Sequence, residues 1–343
     1  PPGHGHQGAG LLLLGERILN DNEIREAGEM REIDIFDGHC DTVLMCRLKG
    51  GGLAKNPYHV DLERAGEYRR YAQFFALFGQ PEDFPGLTFQ EIFRSEYDLF
   101  SREMAANSGR IVHCRTAAEA EKAFADGKTA AFLSVEGAEL LDCSLERLEE
   151  AHALGVRAVN PTWNRPNVLS GTNAEETGRG LSGQGKAFVR RAEELGVLVD
   201  VSHLSDPGFW DVAELLTGPF FASHSNSRQV FSHPRNLTDS QFTAIIEHDG
   251  VAGFNLYADF VGALPDLEAV AAHLDHWLDL GGEKNIALGG DLDGCTALAG
   301  GMAGLQDYDR LYHFLLERGY GQALVQDLFF NNLMRVVSKV CTM

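Results

Sequence analysis

The chain has 343 residues, 44% hydrophobic and 23% charged, with a formal net charge of −21. Those are globular values, which sets aside disordered and fibrous classes. The acidic balance argues against nucleic acid or an anionic membrane as partner, because both select a basic surface. Six cysteines contain no C-x-x-C pair, and a chain this long needs no disulfide staples, so reduced thiols in the cytoplasm are expected.

The His/Gly-rich start runs into Leu11–Leu14. This tract has no basic flank and is too short for a signal core or a membrane span. Met30 reads as a natural start. Residues 1–29 are therefore expected to be an extension outside the fold, with His4 and His6 in a loose tail, and residues 30–343 a single domain.

From there, short β-rich apolar runs alternate with amphipathic stretches. Strands are predicted at Ile33–Asp37, Gln73–Phe78, Ala130–Val135, Ala158–Pro161, Leu198–Val201, Phe220–Ala222, Ala252–Leu256 and Ile286–Leu288. Helical spacing of apolar residues marks Ser144–Leu154, Gly185–Leu195, Asp206–Leu215, Asp239–His248, Leu267–Leu280 and Asp309–Arg318. Strands apolar enough to be buried on both faces, alternating with helices, predict parallel β/α architecture. Eight of them in about 310 residues suit a closed (β/α)8 TIM-type barrel better than an open sheet. The absence of a G-x-G-x-x-G or P-loop motif removes the main support for a nucleotide-binding sheet.

Active sites of such barrels lie at the carboxyl ends of the strands. The residues there are Asp37-Gly38-His39-Cys40-Asp41, Val135-Glu136-Gly137, Val201-Ser202-His203, Ala222-Ser223-His224 and Gly290-Asp291-Leu292-Asp293. Alternation with period 2 predicts that His39 and Asp41 share the interior face of strand 1. Unpaired buried charge is costly, and a metal centre would satisfy His39, Asp41, Glu136, His203 and His224 together. Mixed imidazole and carboxylate ligands suit zinc, with manganese, iron or nickel as alternatives. Five ligands exceed what one catalytic zinc usually takes, so two metals bridged by Glu136 and a hydroxide account better for the number.

These segments resemble the membrane dipeptidase (renal dipeptidase) family of amidohydrolase-type barrels. The resemblance rests on D-G-H-C-D at 37–41, V-E-G at 135–137, G-V-L-V-D-V-S-H at 196–203, A-S-H-S at 222–225, P-R-N at 234–236, H-L-D-H at 273–276, G-G-D-L-D-G at 289–294 and N-N-L-M-R-V-V at 331–337. It spans about residues 31–340, in the family's order. It implies two zinc ions per chain, one on His39 and Asp41, the other on His203 and His224, with Glu136 bridging. It implies that Asp291 handles the proton and that Arg235 holds the substrate's carboxylate. The activity implied is hydrolysis of dipeptides, with tolerance of a D-residue at the C-terminal position. Another metal-dependent amidohydrolase, such as an N-acyl-D-amino-acid deacylase or a lactonase, is the alternative. A catalytically silent metal-binding scaffold stands further off, because the ligand set is intact.

One position departs from the family. Trp163 stands where the mammalian enzyme has an active-site histidine, and Thr162-Trp163-Asn164 resembles bacterial relatives. Trp163 is expected to wall the pocket. Asn164 either replaces the lost oxyanion donor or, the preferred expectation, is turned away by strand alternation. Tyr257 is expected to line the pocket. The mammalian secretion signal, lipid-anchor tail and disulfide cysteines have no match, which points to a cytoplasmic microbial-type enzyme acting on small dipeptides, without nucleic acid or membrane. Oligomeric state stays open, a homodimer included.

Other residues receive plainer readings. His152, His273 and His276 are expected to be structural, and His233 to lie outside the pocket. Asp293 is expected to shape the loop after strand 8. Cys40 should be a small buried hydrophobe, Cys295 has no partners for a nucleophilic triad, and Arg69-Arg70 should form a solvated face.

Overall fold

The computed structural model describes residues 30–342, together with the backbone of 13–14 and 17–18, which pair antiparallel. The expectations for the rest of 1–29, His4 and His6 included, lie outside the described residues. All eight predicted strands form: β1 Arg31–Cys40, β2 Tyr68–Leu77, β3 Thr129–Glu136, β4 Val156–Asn160, β5 Leu198–Val199, β6 Phe221–Ala222, β7 Val251–Phe254 and β8 Ile286–Leu288. They pair in parallel in the order β5-β4-β3-β2-β1-β8-β7-β6. A parallel bridge between Asp200 and Phe221 joins the two ends, completing the barrel. A short additional strand, Ile111–His113, pairs with β3.

The connecting helices begin and end on local chemistry. The Ser182 side chain accepts from Gly185 N to start Gly183–Leu195, and Gly196 ends that helix in the left-handed region at φ 69°. β5 follows within two residues, so helix and strand leave little slack in placing His203. The helix Phe89–Ala106, which the sequence reading passed over, opens with a full capping box between Thr88 and Glu91. Among the described residues no helix is long and apolar enough to cross a membrane.

Aromatic side chains plug the lower half of the barrel. Phe36 on β1 lies 5.6 Å from Phe74 on β2 and 5.3 Å from Phe132 on β3, and Phe74 lies 5.9 Å from Phe221 on β6. Phe330, Leu333, Val336 and Val337 of the C-terminal segment cover this plug from below. Above it the barrel narrows around one carbonyl. A side chain at Gly253 or Gly289 would bring its Cβ to 2.1 or 1.9 Å from Ser223 O, an overlap that only glycine avoids. The buried phenylalanines of the plug typically contribute about 1.5–3 kcal/mol each through removal from water.

One surface expectation is corrected at the base. Arg69 and Arg70 are not simply a solvated face, because both donate to Asp34, which has no solvent exposure, at 2.6–2.8 Å. The Arg70 guanidinium also stacks 4.1 Å over the Phe330 ring. A buried carboxylate needs compensating charge, and long arginine side chains supply it while their outer atoms stay wet.

Candidate active site

The carboxyl ends of the strands bring the five expected ligands together. His39 Nε2 lies 3.3 Å from Asp41 Oδ2 and 3.7 Å from Glu136 Oε2. On the other side of the same carboxylate, Glu136 Oε1 lies 2.9 Å from His203 Nε2 and 3.6 Å from His224 Nε2, while those two nitrogens are 3.0 Å apart. All five side chains are buried. Asp291 joins them, since its carboxylate groups with His39 and His224 within 4.8 Å.

The pairing of His39 with Asp41 does not come from plain alternation, as the sequence reading had it. β1 ends at Cys40, and its register against β2 slips between Asp37 and Cys40, with three residues set against two. Such a bulge re-aims a side chain. Asp41 then stands at the first residue before the helix Thr42–Lys49, where its side chain caps nothing. The carboxylate is thus left for the site. Cys40, between them, is fully buried, as expected.

Two members of the cluster sit in strained backbone. His203 has φ 74° and Asp291 φ 55°, the left-handed region that costs a non-glycine residue about 1–3 kcal/mol and gathers at functional sites. His203 is held there by Asn173 N, which donates to His203 O at 3.0 Å. Asp291 is held by Asn255, whose Nδ2 donates to Asp291 Oδ2 at 3.0 Å. Asn255 closes the apolar run of strand 7, and a polar residue at a barrel strand's carboxyl end was the available signal for it.

Electrostatics separate the cluster into two halves. Burial alone would lower the His39 imidazole, but Glu136 and Asp41 beside it raise it to about 10. Burial raises the Glu136 carboxyl, against the opposing pull of His39. Burial pushes His203 and His224 well below the usual imidazole range, reinforced by Arg235 and His39. Neutral imidazole is the metal-binding form. Asp41 Oδ1 is buried without a hydrogen-bond partner among the described residues, and two imidazole nitrogens face one carboxylate oxygen. Donors of this kind, converging with unspent lone pairs, fit divalent cations.

Above the cluster opens a cleft of about 430 Å³, within the usual range for small-molecule sites. Trp163, Asn164, Tyr257 and Arg235 all line it, and so does His233, which corrects the expectation that His233 lies outside. Trp163 packs at 4.8 Å on Phe78, forming the expected wall. Asn164 is not turned away: its Oδ1 lies 2.8 Å from His203 Nδ1. β4 ends at Asn160, so residues 161–164 belong to a loop where strand alternation has no force.

Arg235 is buried, and its Nη2 donates toward His203 Nε2 at 3.1 Å and His224 O at 3.2 Å. Its Nε and Nη1 have no hydrogen-bond partner among the described residues. Phe260 lies under the guanidinium at 5.5 Å and against the His233 ring at 4.5 Å. Asp293 shapes the β8 loop as expected, accepting from Thr42 Oγ1 at 2.5 Å and from His59 N at 2.7 Å. His273 and His276 behave structurally: Ser227 N donates to His273 Nδ1 at 3.1 Å, and His276 Nε2 meets Asp239 at 2.8 Å.

Comparison with known proteins identifies the family. The profile of the family described as membrane dipeptidase (peptidase family M19) matches residues 25–343. A protein of Klebsiella pneumoniae, described as an uncharacterized protein in the pqqA 5′ region, is 33% identical over 264 residues, covering 73% of this chain and 96% of its own length. A metallopeptidase from Rhodobacter sphaeroides, solved with a phosphinate mimic of the dipeptide L-Ala-D-Ala, superposes with a TM-score of 0.81 at 30% identity, covering 90% of this chain and 100% of that one. The dipeptidase AC structure, also of family M19, gives a TM-score of 0.80 at 30% identity over 91% of this chain and 100% of its own. The (β/α)8 chain described here belongs to the membrane dipeptidase family, peptidase family M19, and is a metal-dependent hydrolase of peptide bonds.

Proposed function

We propose that this chain is a dipeptidase that holds two divalent metal ions, zinc foremost, and cleaves dipeptides with a C-terminal residue of either hand. The carrying observation is Glu136, whose Oε2 faces His39 and whose Oε1 faces His203 and His224. One carboxylate between two ligand sets is what a shared pair of ions requires, with His39 and Asp41 on one side and His203 and His224 on the other. Ions bound there would acidify a water and polarise the substrate carbonyl.

The chain's own residues supply the rest. Arg235, a buried cation with two free donors at the cleft, takes the substrate's C-terminal carboxylate in its planar fork. Asp291 accepts a proton from the attacking water and returns it to the departing amine. Burial raises its carboxyl, with His39 opposing and Asp41 adding to the rise, which favours a group that must hold a proton between two steps. Trp163 and Phe78 wall the cleft, and Tyr257 borders it. The L-Ala-D-Ala mimic bound by the Rhodobacter relative supports tolerance of a D-residue.

Elemental analysis of reconstituted protein, paired with a dipeptide panel, tests the reading. Two ions per chain and hydrolysis of free L,L and L,D dipeptides are expected. One ion or none would overturn the binuclear arrangement. Faster hydrolysis of N-acylated than of free dipeptides would instead identify a deacylase.

A further inference from the structure

We infer that Asn164 is a positioning residue that fixes the tautomer and ring orientation of His203, so that Nε2 presents its lone pair to the centre. The inference rests on the two-ion reading, which gives Nε2 to an ion; the contact at Nδ1 and the anchoring of the loop carry the positioning.

Three observations converge on it. The side chain of Asn164 lies in the cleft with Oδ1 2.8 Å from His203 Nδ1. On the opposite edge of the ring, Arg235 Nη2 lies 3.1 Å from His203 Nε2. The same nitrogen faces Glu136 Oε1 at 2.9 Å and His224 Nε2 at 3.0 Å; on the two-ion reading its lone pair belongs to the ion held there, so Nδ1 carries the hydrogen. Asn164 must then accept through Oδ1, and its own amide orientation is settled by the same bond. The third observation is the strain at His203, φ 74°, which leaves the direction of the side chain dependent on its contacts rather than on a strand.

Asn164 is itself anchored. Thr172 Oγ1 donates to Asn164 O at 3.0 Å, and Thr172 pairs with Leu204 next to the histidine. Asn173 N holds the His203 carbonyl from the same loop. The segment after β4 thus grips His203 at backbone and ring together. His224 lacks an equivalent grip: its Nδ1 is 2.6 Å from Ser223 Oγ, and a hydroxyl can donate or accept, so this contact leaves the tautomer open. A neutral acceptor behind a ligating imidazole also raises its basicity, and loss of such partners typically weakens metal affinity about 10–100-fold.

The experiment compares wild type, Asn164→Ala and Asn164→Asp by zinc competition against a chromophoric chelator, and by nitrogen-15 NMR of the imidazole nitrogens in metal-free protein, with His203→Gln assigning the signal. Wild type should show His203 protonated at Nδ1. Asn164→Ala should lose that preference and bind one of its two zinc ions 10–100-fold more weakly, the other unchanged. Asn164→Asp, which can only accept when ionised, should keep both properties. Unchanged zinc affinity and tautomer in Asn164→Ala would overturn the inference, as would an Asn164→Asp variant as weak as the alanine. A wild type that binds a single ion would defeat the two-ion reading instead, and the NMR signal would still decide the role of Asn164.

Discussion

Asn255 Nδ2 donates to Asp291 Oδ2 across 3.0 Å, tying the end of β7 to the loop after β8. A residue in left-handed backbone is thereby aimed at His39 and His224. Asp291→Asn should keep most of the bound metal while lowering kcat by about 10²–10⁴-fold. Steady-state kinetics with metal analysis checks it, and a near-normal kcat would move the proton to another group.

Arg235 is the cation best placed for a carboxylate. Arg235→Ala should weaken kcat/KM for free dipeptides by about 2–5 kcal/mol, the cost of leaving a buried charge without its partner. Dipeptide amides, which lack that charge, should suffer much less. Equal losses on both substrates would mean that Arg235 serves only to hold His203 Nε2 and the His224 carbonyl.

Trp163 offers one N–H and a broad apolar face, and it rests against Phe78. Trp163→Phe should therefore change KM and the preference among substrate side chains more than kcat. A fall in kcat of a hundredfold or more, the size expected for a lost oxyanion donor, would show that the indole acts in the chemistry.

Asp34 governs stability at the far end of the barrel. Burial raises its carboxyl, but the hydrogen bonds from Arg69 and Arg70 outweigh burial and hold it below its ordinary value. A depressed folded-state pKa gives stabilisation that is complete above the unfolded carboxylate value, about 3.9, and lost as pH falls through the folded value. Asp34→Asn should cost about 3 kcal/mol near neutral pH, the low end for a broken buried pair because Arg69 reaches solvent. The gap in Tm between variant and wild type should close as pH drops below 4. A gap independent of pH would show that packing, not charge, carries the effect.

The eight strands, their parallel order and the five convergent side chains were legible in the sequence, because apolar runs of strand length and ligand-type residues at their carboxyl ends depend only on local pattern. The place of Tyr257 in the cleft followed from the same rule, and that of Trp163 from the family resemblance. The tertiary structure alone decided the rest. Asn164 faces His203 because β4 stops at Asn160 and Thr172 anchors the loop beyond it. His39 meets Asp41 through a bulge and a helix start rather than by alternation. Arg69 and Arg70 serve Asp34, and His233 enters the cleft against Phe260. Asn164, Asp41 and His233 lie on backbone outside regular strands, where side-chain direction is set by contacts between residues far apart in the chain, while Arg70 meets Asp34 through the register of β2 against β1; no periodicity within one segment of the sequence encodes either.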